Sequence, residues 1–215
     1  RVMTPVLAMT VVREAAIAAF VPEKFYTVAL ELTSGFVASS RRISEKDAAE
    51  KLLAECRKEM VSTIQKITRK EKAENPPPLY DLTTLQRDAN RLLGYSAHQT
   101  LKYAQSLYEK KLVTYPRTDS QYLSDDMEET AKAVIGAVYQ AILFEEQTGA
   151  EPDIKRVLNS KKVTDHHAII PTIEITKTDL SAVPEGEMKI LSLVANRLLC
   201  ATGKKQLYET VKAEF

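Results

Sequence analysis

Apolar residues recur at helical spacing near the start of the chain. Between Val2 and Phe20 they return every three or four positions, which predicts a helix that Pro22 ends. A second helix is predicted from Ser44 to about Met60, because Ser44 and Asp47 are typical of a helix N-terminus. The N-terminal part of the chain is therefore expected to contribute two helices.

Four more helical patterns follow, at residues 82–93, 97–110, 126–144 and 184–203. Gly94 suits the end of the first of these, because glycine readily adopts the left-handed backbone that closes many helices. Ser96 and Gln99 have the spacing of a capping box, which predicts the start of the next helix.

Strands are predicted where apolar and polar residues alternate, or where a short apolar run meets a turn. These segments are 25–32, 36–39, 61–70, 112–114 and 208–215. A turn at Thr33, Ser34 and Gly35 joins the first two. Segments 25–32 and 208–215 both alternate, so we expect them to pair in one sheet. Residues 71–78 are charged and proline-rich, which predicts a linker.

The order of these elements predicts an α+β fold that is mainly helical. Helix, three-residue turn, helix and strand follow one another between Leu82 and Thr114, which is typical of a winged-helix (CAP-like) unit. The other strands lie toward the two ends of the chain. We therefore expect a helical unit that is inserted into a β-rich unit.

Composition narrows the function classes without selecting one. The 215 residues are 44% hydrophobic and 27% charged, as in ordinary globular proteins, and the net charge is +1. Any surface for nucleic acid must therefore be a local patch. Cys56 and Cys200 are interpreted as reduced core residues, although a disulfide between them stays open. No apolar window has the length of a membrane helix, and no glycine-rich phosphate loop is present.

The candidate chemistry lies in residues 112–120, Leu-Val-Thr-Tyr-Pro-Arg-Thr-Asp-Ser. Pro116 favours an extended backbone at Tyr115, and in an extended segment Tyr115 and Arg117 point to the same side. A guanidinium beside a phenol favours the phenolate and binds a pair of phosphate oxygens, as an enzyme that forms a phosphotyrosine linkage requires. Local chemistry leaves the other interpretation open, a tyrosine packed at a strand end.

The same segment resembles the active-site motif of the type IA DNA topoisomerases, and its Tyr-Pro-Arg form is most similar to the topoisomerase III branch. Three further stretches resemble family motifs in the family's order. They are residues 1–5, with Met3 where glutamine is usual, residues 76–96, and residues 166–172, His-His-Ala-Ile-Ile-Pro-Thr. Because four motifs in the correct order span nearly the whole chain, the resemblance is specific.

The resemblance implies that Tyr115 attacks a phosphodiester of single-stranded DNA and becomes linked to the 5′ phosphate. Arg117 would stabilise the charge that develops on the phosphate, and His166 would donate a hydrogen bond to one of its oxygens. Adjacent histidines beside Asp165 could otherwise form a metal site, but no ligand pairs at zinc spacing accompany them.

Further contacts with DNA are expected from residues of the same motifs, namely Arg1, Thr118, Ser120, His167 and Thr172. The hydroxyls of Thr118 and Ser120 suit phosphate oxygens. Ordinary turn chemistry explains these two residues almost as well. No metal ligand is expected in this chain.

Domain boundaries also follow from the resemblance. Residues 1–20 would end an upstream helical DNA-binding domain, 21–75 and 208–215 would form a β-rich arch, and 76–207 would form the catalytic-tyrosine domain. The chain starts without methionine and stops inside a strand pattern, so we expect a piece of a longer protein. The resemblance implies that the whole protein is a monomeric enzyme that acts on DNA in the cytoplasm. Magnesium and the acid and base carboxylates would belong to missing parts of the polypeptide, which makes this piece alone a poor catalyst.

The alternative function is that of a non-catalytic winged-helix DNA-binding protein, supported by residues 82–114. That function predicts tight binding to duplex DNA with sequence preference. It leaves the histidine motif at 166–172 without a role.

Overall fold

The computed structural model describes residues 3–59, 61–141 and 151–215. Over these residues the fold is mixed, with about half of the chain helical and two small two-stranded sheets, rather than mainly helical as predicted. The helices are α1 (Met3–Ala18), α2 (Lys46–Lys58), α3 (Leu82–Leu93), α4 (Ala97–Glu109), α5 (Glu128–Ala141) and α6 (Glu185–Ala201). The strands are β1 (Ala29–Glu31), β2 (Val37–Ser39), β3 (Lys66–Glu74) and β4 (Gln206–Glu214).

Two compact units make up the chain. The first comprises Arg1–Thr68 and Lys212–Phe215, and the second comprises Arg69–Val211. In the first unit β1 and β2 form an antiparallel hairpin in which Ala29 lies opposite Ser39. Gly35 turns the hairpin with a φ of +84°, a conformation that glycine adopts without steric cost.

The predicted pairing of segments 25–32 and 208–215 is wrong. The structure pairs β4 with β3, and β1 pairs only with β2 among the described strands. The tight turn at Gly35 gives β1 a local partner. Strand β3 is nine residues long, like β4, and begins at Lys66 rather than at residue 61. It also includes the first part of the predicted linker, up to Glu74, where β4 provides the partner strand.

The core of the second unit is formed mainly by helices. Helix α4 packs against both α3 and α6, and α5 packs against a short 3-10 turn at Ile173–Thr176. The buried side chains are almost all aliphatic, and the largest include Leu85, Leu107, Leu112, Ile169, Ile190, Leu191 and Leu198. Burying such side chains stabilises the fold by about 1.5–3 kcal/mol each, before conformational entropy is counted. This core supports the segments that carry the candidate chemistry.

Local signals place the helix ends in this unit as predicted. Gly94 closes α3 in the left-handed conformation, with φ 71°. The Ser96 hydroxyl accepts a hydrogen bond from the Gln99 N–H at 3.2 Å and so caps α4. The Gln99 side chain donates to the Tyr103 hydroxyl at 3.1 Å and not to the Ser96 N–H, so only the Ser96 half of the predicted capping box forms.

Other predicted boundaries differ from the structure. The N-cap of α2 is Glu45 rather than Ser44. The strand predicted at 112–114 is reduced to a single antiparallel bridge between Val113 and Pro171. The ladder ends there because the Leu112 N–H donates to the Leu107 carbonyl of α4, and the Ile170 N–H donates to the Thr114 hydroxyl. Helix α5 begins at Glu128, after a 3-10 turn. The predicted helix ends at Met60 and Phe144 lie outside the described residues.

A buried carboxylate joins α4 to α6. Glu187, only 8% exposed, forms an ion pair with Lys110 and accepts a hydrogen bond from the Ser106 hydroxyl at 2.9 Å. One turn of helix separates Ser106 from Lys110, so both reach the same carboxylate. The position of α6 relative to α4 therefore depends partly on this cluster.

We expect Lys110→Met to lower the free energy of unfolding by roughly 1–3 kcal/mol, because the Glu187 carboxylate would stay buried with Ser106 as its remaining partner. The double variant Lys110→Met/Glu187→Met should be more stable than Lys110→Met alone, since it buries no uncompensated charge. Urea unfolding followed by circular dichroism measures both values. A double variant less stable than the single one would contradict this account.

Candidate active site

The segment that carries Tyr115 follows α4 directly and is held by backbone pairing. The Thr114 N–H donates to the Ile170 carbonyl at 2.9 Å, and the Ile170 N–H donates to the Thr114 hydroxyl at 3.0 Å. Val113 is buried beneath this pair. Residues 113–115 and the histidine motif therefore lie side by side, although about fifty positions separate them in the chain.

The ring of Tyr115 lies between two other aromatic rings. The His166 imidazole is the nearer, with ring centroids 4.4 Å apart and planes inclined by 49°. Tyr108, on the last turn of α4, meets Tyr115 edge-on at 5.3 Å. Tyr115 itself is half-buried and His166 is exposed, so a ligand could reach both from solvent. The structure thus brings together the predicted nucleophile and the predicted phosphate partner.

Arg117 projects into solvent from the same segment. It follows the buried Pro116 and is itself exposed. Over the described ranges its guanidinium makes no ion pair and no hydrogen bond, whereas Arg91, Arg156 and Arg197 are each paired with an aspartate. The donors of Arg117 are therefore available to an anion at the surface.

The three residues after Arg117 bind the loop before the histidine motif. The Thr118 hydroxyl donates to the His166 carbonyl at 2.8 Å, and the Ser120 hydroxyl donates to the Lys162 carbonyl at 2.9 Å. Asp119 accepts a hydrogen bond from the Thr164 hydroxyl at 2.7 Å. Thr118 and Ser120 are both buried. Both hydroxyls therefore donate to carbonyl groups of the protein itself.

The remaining predicted DNA contacts lie at the edges of this region. His167 is half-buried, and its Nδ1 lies 2.8 Å from the Ala168 carbonyl, which it reaches as a donor in the Nδ1–H tautomer. The Thr172 hydroxyl donates to the Lys111 carbonyl. Arg1 lies outside the described residues. The structure therefore places His167 beside His166 and anchors Thr172 to the turn that follows α4.

A polar cluster missed in the sequence supports the other side of the histidine motif. The Tyr80 carbonyl accepts a hydrogen bond from the Ile169 N–H at 2.8 Å, and the Tyr80 hydroxyl donates to Asp88 at 2.8 Å. Arg197 pairs with Asp88, and its guanidinium lies 4.1 Å from the centre of the Tyr80 ring. Arg197 lies more than a hundred positions from Tyr80 and Asp88, and a contact over that distance has no local signal in the sequence.

The two titratable groups of this cluster are perturbed in opposite directions. Burial raises the pKa of the Tyr80 phenol, and its hydrogen bond to Asp88 adds to the rise. Burial alone would raise the pKa of Asp88. The hydrogen bond from Tyr80 and the charges of Arg197 and Arg91 outweigh it, so the pKa of Asp88 is lowered. Asp88 is therefore a carboxylate at neutral pH and Tyr80 a neutral phenol, which suits a structural role.

The described residues hold no group of three or more His, Cys, Asp and Glu side chains that could bind a metal ion. Among the same residues, no helix is long and apolar enough to span a bilayer. What the site offers is a phenol, an imidazole and an unpaired guanidinium. Those groups suit a phosphate ester, in which an oxygen nucleophile needs nearby positive charge and hydrogen-bond donors.

Comparison with known proteins agrees with this chemistry. A family model described as DNA topoisomerase matches residues 1–215. A curated protein from Shouchella clausii named DNA topoisomerase 3 is 41% identical over 211 residues, which cover 93% of this chain and 29% of that protein. DNA topoisomerase 3 of Bacillus subtilis is 38% identical over 225 residues, covering 99% of this chain and 30% of that protein. The chain thus spans about 30% of the length of these relatives.

A solved structure supports the fold. The full-length topoisomerase I of Thermotoga maritima superposes with a TM-score of 0.64 and 24% sequence identity. The superposition covers 94% of this chain and 33% of the other. The fold of this chain is therefore one that a solved structure already contains.

Proposed function

This chain belongs to the type IA DNA topoisomerase family, with relatives named DNA topoisomerase 3, and we propose that it carries the tyrosine that cuts and rejoins one DNA strand. The observation that supports this proposal is the packing of Tyr115 against His166, with the unpaired Arg117 two residues away. In the whole enzyme, passage of another strand through the gap would change DNA topology by relaxation or decatenation.

The proposed reaction is a transesterification. The phenolic oxygen of Tyr115 attacks phosphorus, an O–P bond forms, and the bond from phosphorus to the 3′ oxygen breaks. The phenol gives up its proton as it attacks, and the 3′ oxygen takes up a proton as it leaves. The phosphate stays on the 5′ oxygen of the downstream fragment, bound to tyrosine. Reversal of these steps reseals the strand. One phosphodiester replaces another, so no nucleotide hydrolysis is needed.

Positive charge and hydrogen-bond donors lower the barrier to this step. Arg117 would bind two phosphate oxygens as negative charge develops on them. His166, in contact with the Tyr115 ring, would donate to a non-bridging oxygen. Of the residues expected to contact DNA, Arg1, His167 and Thr172 would then position the strand around these three groups. Thr118 and Ser120 would support the site from inside the protein, since their buried hydroxyls donate to the His166 and Lys162 carbonyls.

Magnesium and the carboxylates that move protons are assigned by this proposal to parts of the polypeptide outside this chain. The described residues contain no candidate metal cluster, so none of the steps above uses a metal ligand from this chain. We accordingly propose that this chain alone cleaves DNA poorly or not at all, and that the full-length enzyme is a monomeric, DNA-associated cytoplasmic protein.

The domain layout is also part of the proposal. Residues 76–207 would form the catalytic-tyrosine domain, 21–75 with 208–215 a β-rich arch, and 1–20 the end of an upstream DNA-binding domain. The winged-helix arrangement of α3 and α4 belongs to the same proposal. A non-catalytic winged-helix function is the alternative, and it gives the contact between Tyr115 and His166 no role.

A covalent adduct tests the proposal. The full polypeptide that contains this chain is incubated with an oligonucleotide labelled either upstream or downstream of the cut, and the products are separated on a denaturing gel. The protein is expected to carry only the downstream label, since the phosphate stays on the 5′ end of the downstream fragment. Retention of the upstream label would contradict the proposed linkage.

Competition between single-stranded and duplex DNA separates the two functions. The topoisomerase function predicts preference for single strands with little dependence on sequence, because the reacting strand must be reached without its complement. Tight, sequence-dependent binding to duplex DNA, without an adduct, would favour the winged-helix alternative.

A further inference from the structure

Two chain segments that are distant in sequence meet at the candidate site, and only a few bonds set their spacing. Tyr115 belongs to the segment that follows α4, and His166 to a loop that follows a 3-10 turn at Ser160–Lys162. Both rings are solvent-accessible, so core packing alone does not fix the distance between them. Their relative position must therefore depend on the hydrogen bonds that join the segments.

Thr118 makes the bond nearest to His166. Its hydroxyl donates to the His166 carbonyl at 2.8 Å and accepts from the Ser120 N–H at 3.1 Å. The residue is 7% exposed. The hydroxyl proton is thus already committed to a backbone carbonyl, and the side chain is mostly shielded from solvent.

These contacts assign Thr118 a role different from a phosphate contact. A hydroxyl has one proton to donate, and that of Thr118 is used inside the protein. The carbonyl that accepts it belongs to the same residue as the imidazole beside Tyr115. Losing the bond would release the His166 backbone at the point where the two rings touch.

We propose that Thr118 is a positioning residue that holds the His166 imidazole against the Tyr115 ring. The effect of Thr118 on catalysis rests on the proposed function. The effect of Thr118 on the position of His166 does not depend on that function. The Thr118 hydroxyl fixes the His166 carbonyl, and that carbonyl sets where the imidazole stands. A phosphate bound at Tyr115 would then meet His166 at a fixed distance.

NMR on this chain tests whether Thr118 positions His166, and the test requires no measurement of enzyme activity. The chain has three histidines, so the imidazole signals of His166 are assigned with His166→Gln. The ring of Tyr115 shifts those signals, and the size of this ring-current contribution is the change in their chemical shifts in the Tyr115→Leu variant. Thr118→Val removes the hydroxyl at nearly constant volume and is expected to abolish most of that contribution, whereas Thr118→Ser keeps the hydroxyl and should retain it.

Thr100→Val is the matched control. Thr100 is also buried, and its hydroxyl donates to the Ser96 carbonyl at 3.0 Å inside α4. The Thr100→Val variant loses the same kind of hydrogen bond, but at a position outside the loop that carries His166. It should therefore leave the His166 signals unchanged. If Thr118→Val does not fold, Thr118→Ala removes the hydroxyl without adding a methyl group. Unchanged His166 signals in the folded hydroxyl-deleted variant would overturn the proposal.

The catalytic consequence is measured in the full polypeptide. We expect Thr118→Val to slow adduct formation by roughly 10- to 100-fold at saturating single-stranded DNA, as a displaced catalytic group does. The Kd for DNA should stay unchanged, and Thr118→Ser should restore the rate. A weakened Kd with an unchanged cleavage rate would identify Thr118 as a DNA contact and overturn the positioning role. A wild-type protein that forms no adduct would contradict the proposed function and leave the NMR test of Thr118 intact.

Discussion

Tyr115→Phe is expected to abolish the covalent adduct with DNA while leaving the protein folded. The substitution removes only the phenolic oxygen, which makes no hydrogen bond within the part of the chain that the structure describes. The ring remains and keeps its contacts with His166 and Tyr108. The free energy of unfolding should therefore change by no more than about 0.5 kcal/mol, whereas cleavage loses its nucleophile.

Tyr108→Phe provides a closely matched control. It deletes the same atom from the ring that packs edge-on against Tyr115, and Tyr108 is 40% exposed, so its hydroxyl is also accessible. In the full polypeptide, Tyr108→Phe should still form the adduct, as detected on a denaturing gel with labelled DNA. If Tyr115→Phe retained the adduct and Tyr108→Phe lost it, the nucleophile would be Tyr108 and the assignment would be wrong.

The helices of the second unit were predictable because their signals are local. Ser96 caps α4 and Gly94 closes α3, each through bonds within a few residues of itself. The spacing of apolar residues in α6 likewise reflects one buried face of one helix. Such features can be found in a single sequence because the interacting residues are neighbours in it.

The partner of β4 could not be found in the same way. Strand β4 lies well over a hundred positions from β3 in the chain. An alternating pattern indicates which face of a strand is apolar, but it does not indicate which other strand lies beside it. The segment 25–32 has the same pattern, which led to the wrong pairing. A single bridge at Val113 similarly replaced a predicted strand, because the Leu112 N–H donates to the Leu107 carbonyl and the Ile170 N–H to the Thr114 hydroxyl.

The candidate site was predictable in its residues but not in its internal bonds. Resemblance to family motifs identified Tyr115, Arg117 and His166, and the structure brings the first and the last together. The hydroxyls of Thr118 and Ser120 suited both phosphate binding and turn chemistry, and sequence alone could not decide between them. Their acceptors are the carbonyls of His166 and Lys162, on a loop more than forty positions away.

Arg117→Ala is expected to slow strand cleavage by ~10²–10³-fold, as the loss of one donor to a developing oxyanion does. Tyr115 would stay in place, so the adduct should still form, with the same linkage to the 5′ phosphate. Arg117 is exposed and unpaired among the described residues, so the free energy of unfolding should stay nearly constant. The effect would therefore lie in the chemical step and not in folding.

Single-turnover adduct formation in the full polypeptide measures this effect, with two variants for comparison. Arg117→Lys keeps a positive charge but loses the planar pair of donors, so it should recover part of the rate. Arg87→Ala removes an exposed arginine from α3, outside the chain segment that carries Tyr115 and Arg117, and should cleave at the wild-type rate. If Arg117→Ala and Arg87→Ala slowed cleavage equally, the loss would reflect general attraction of DNA to positive charge, and Arg117 would have no specific role at the phosphate.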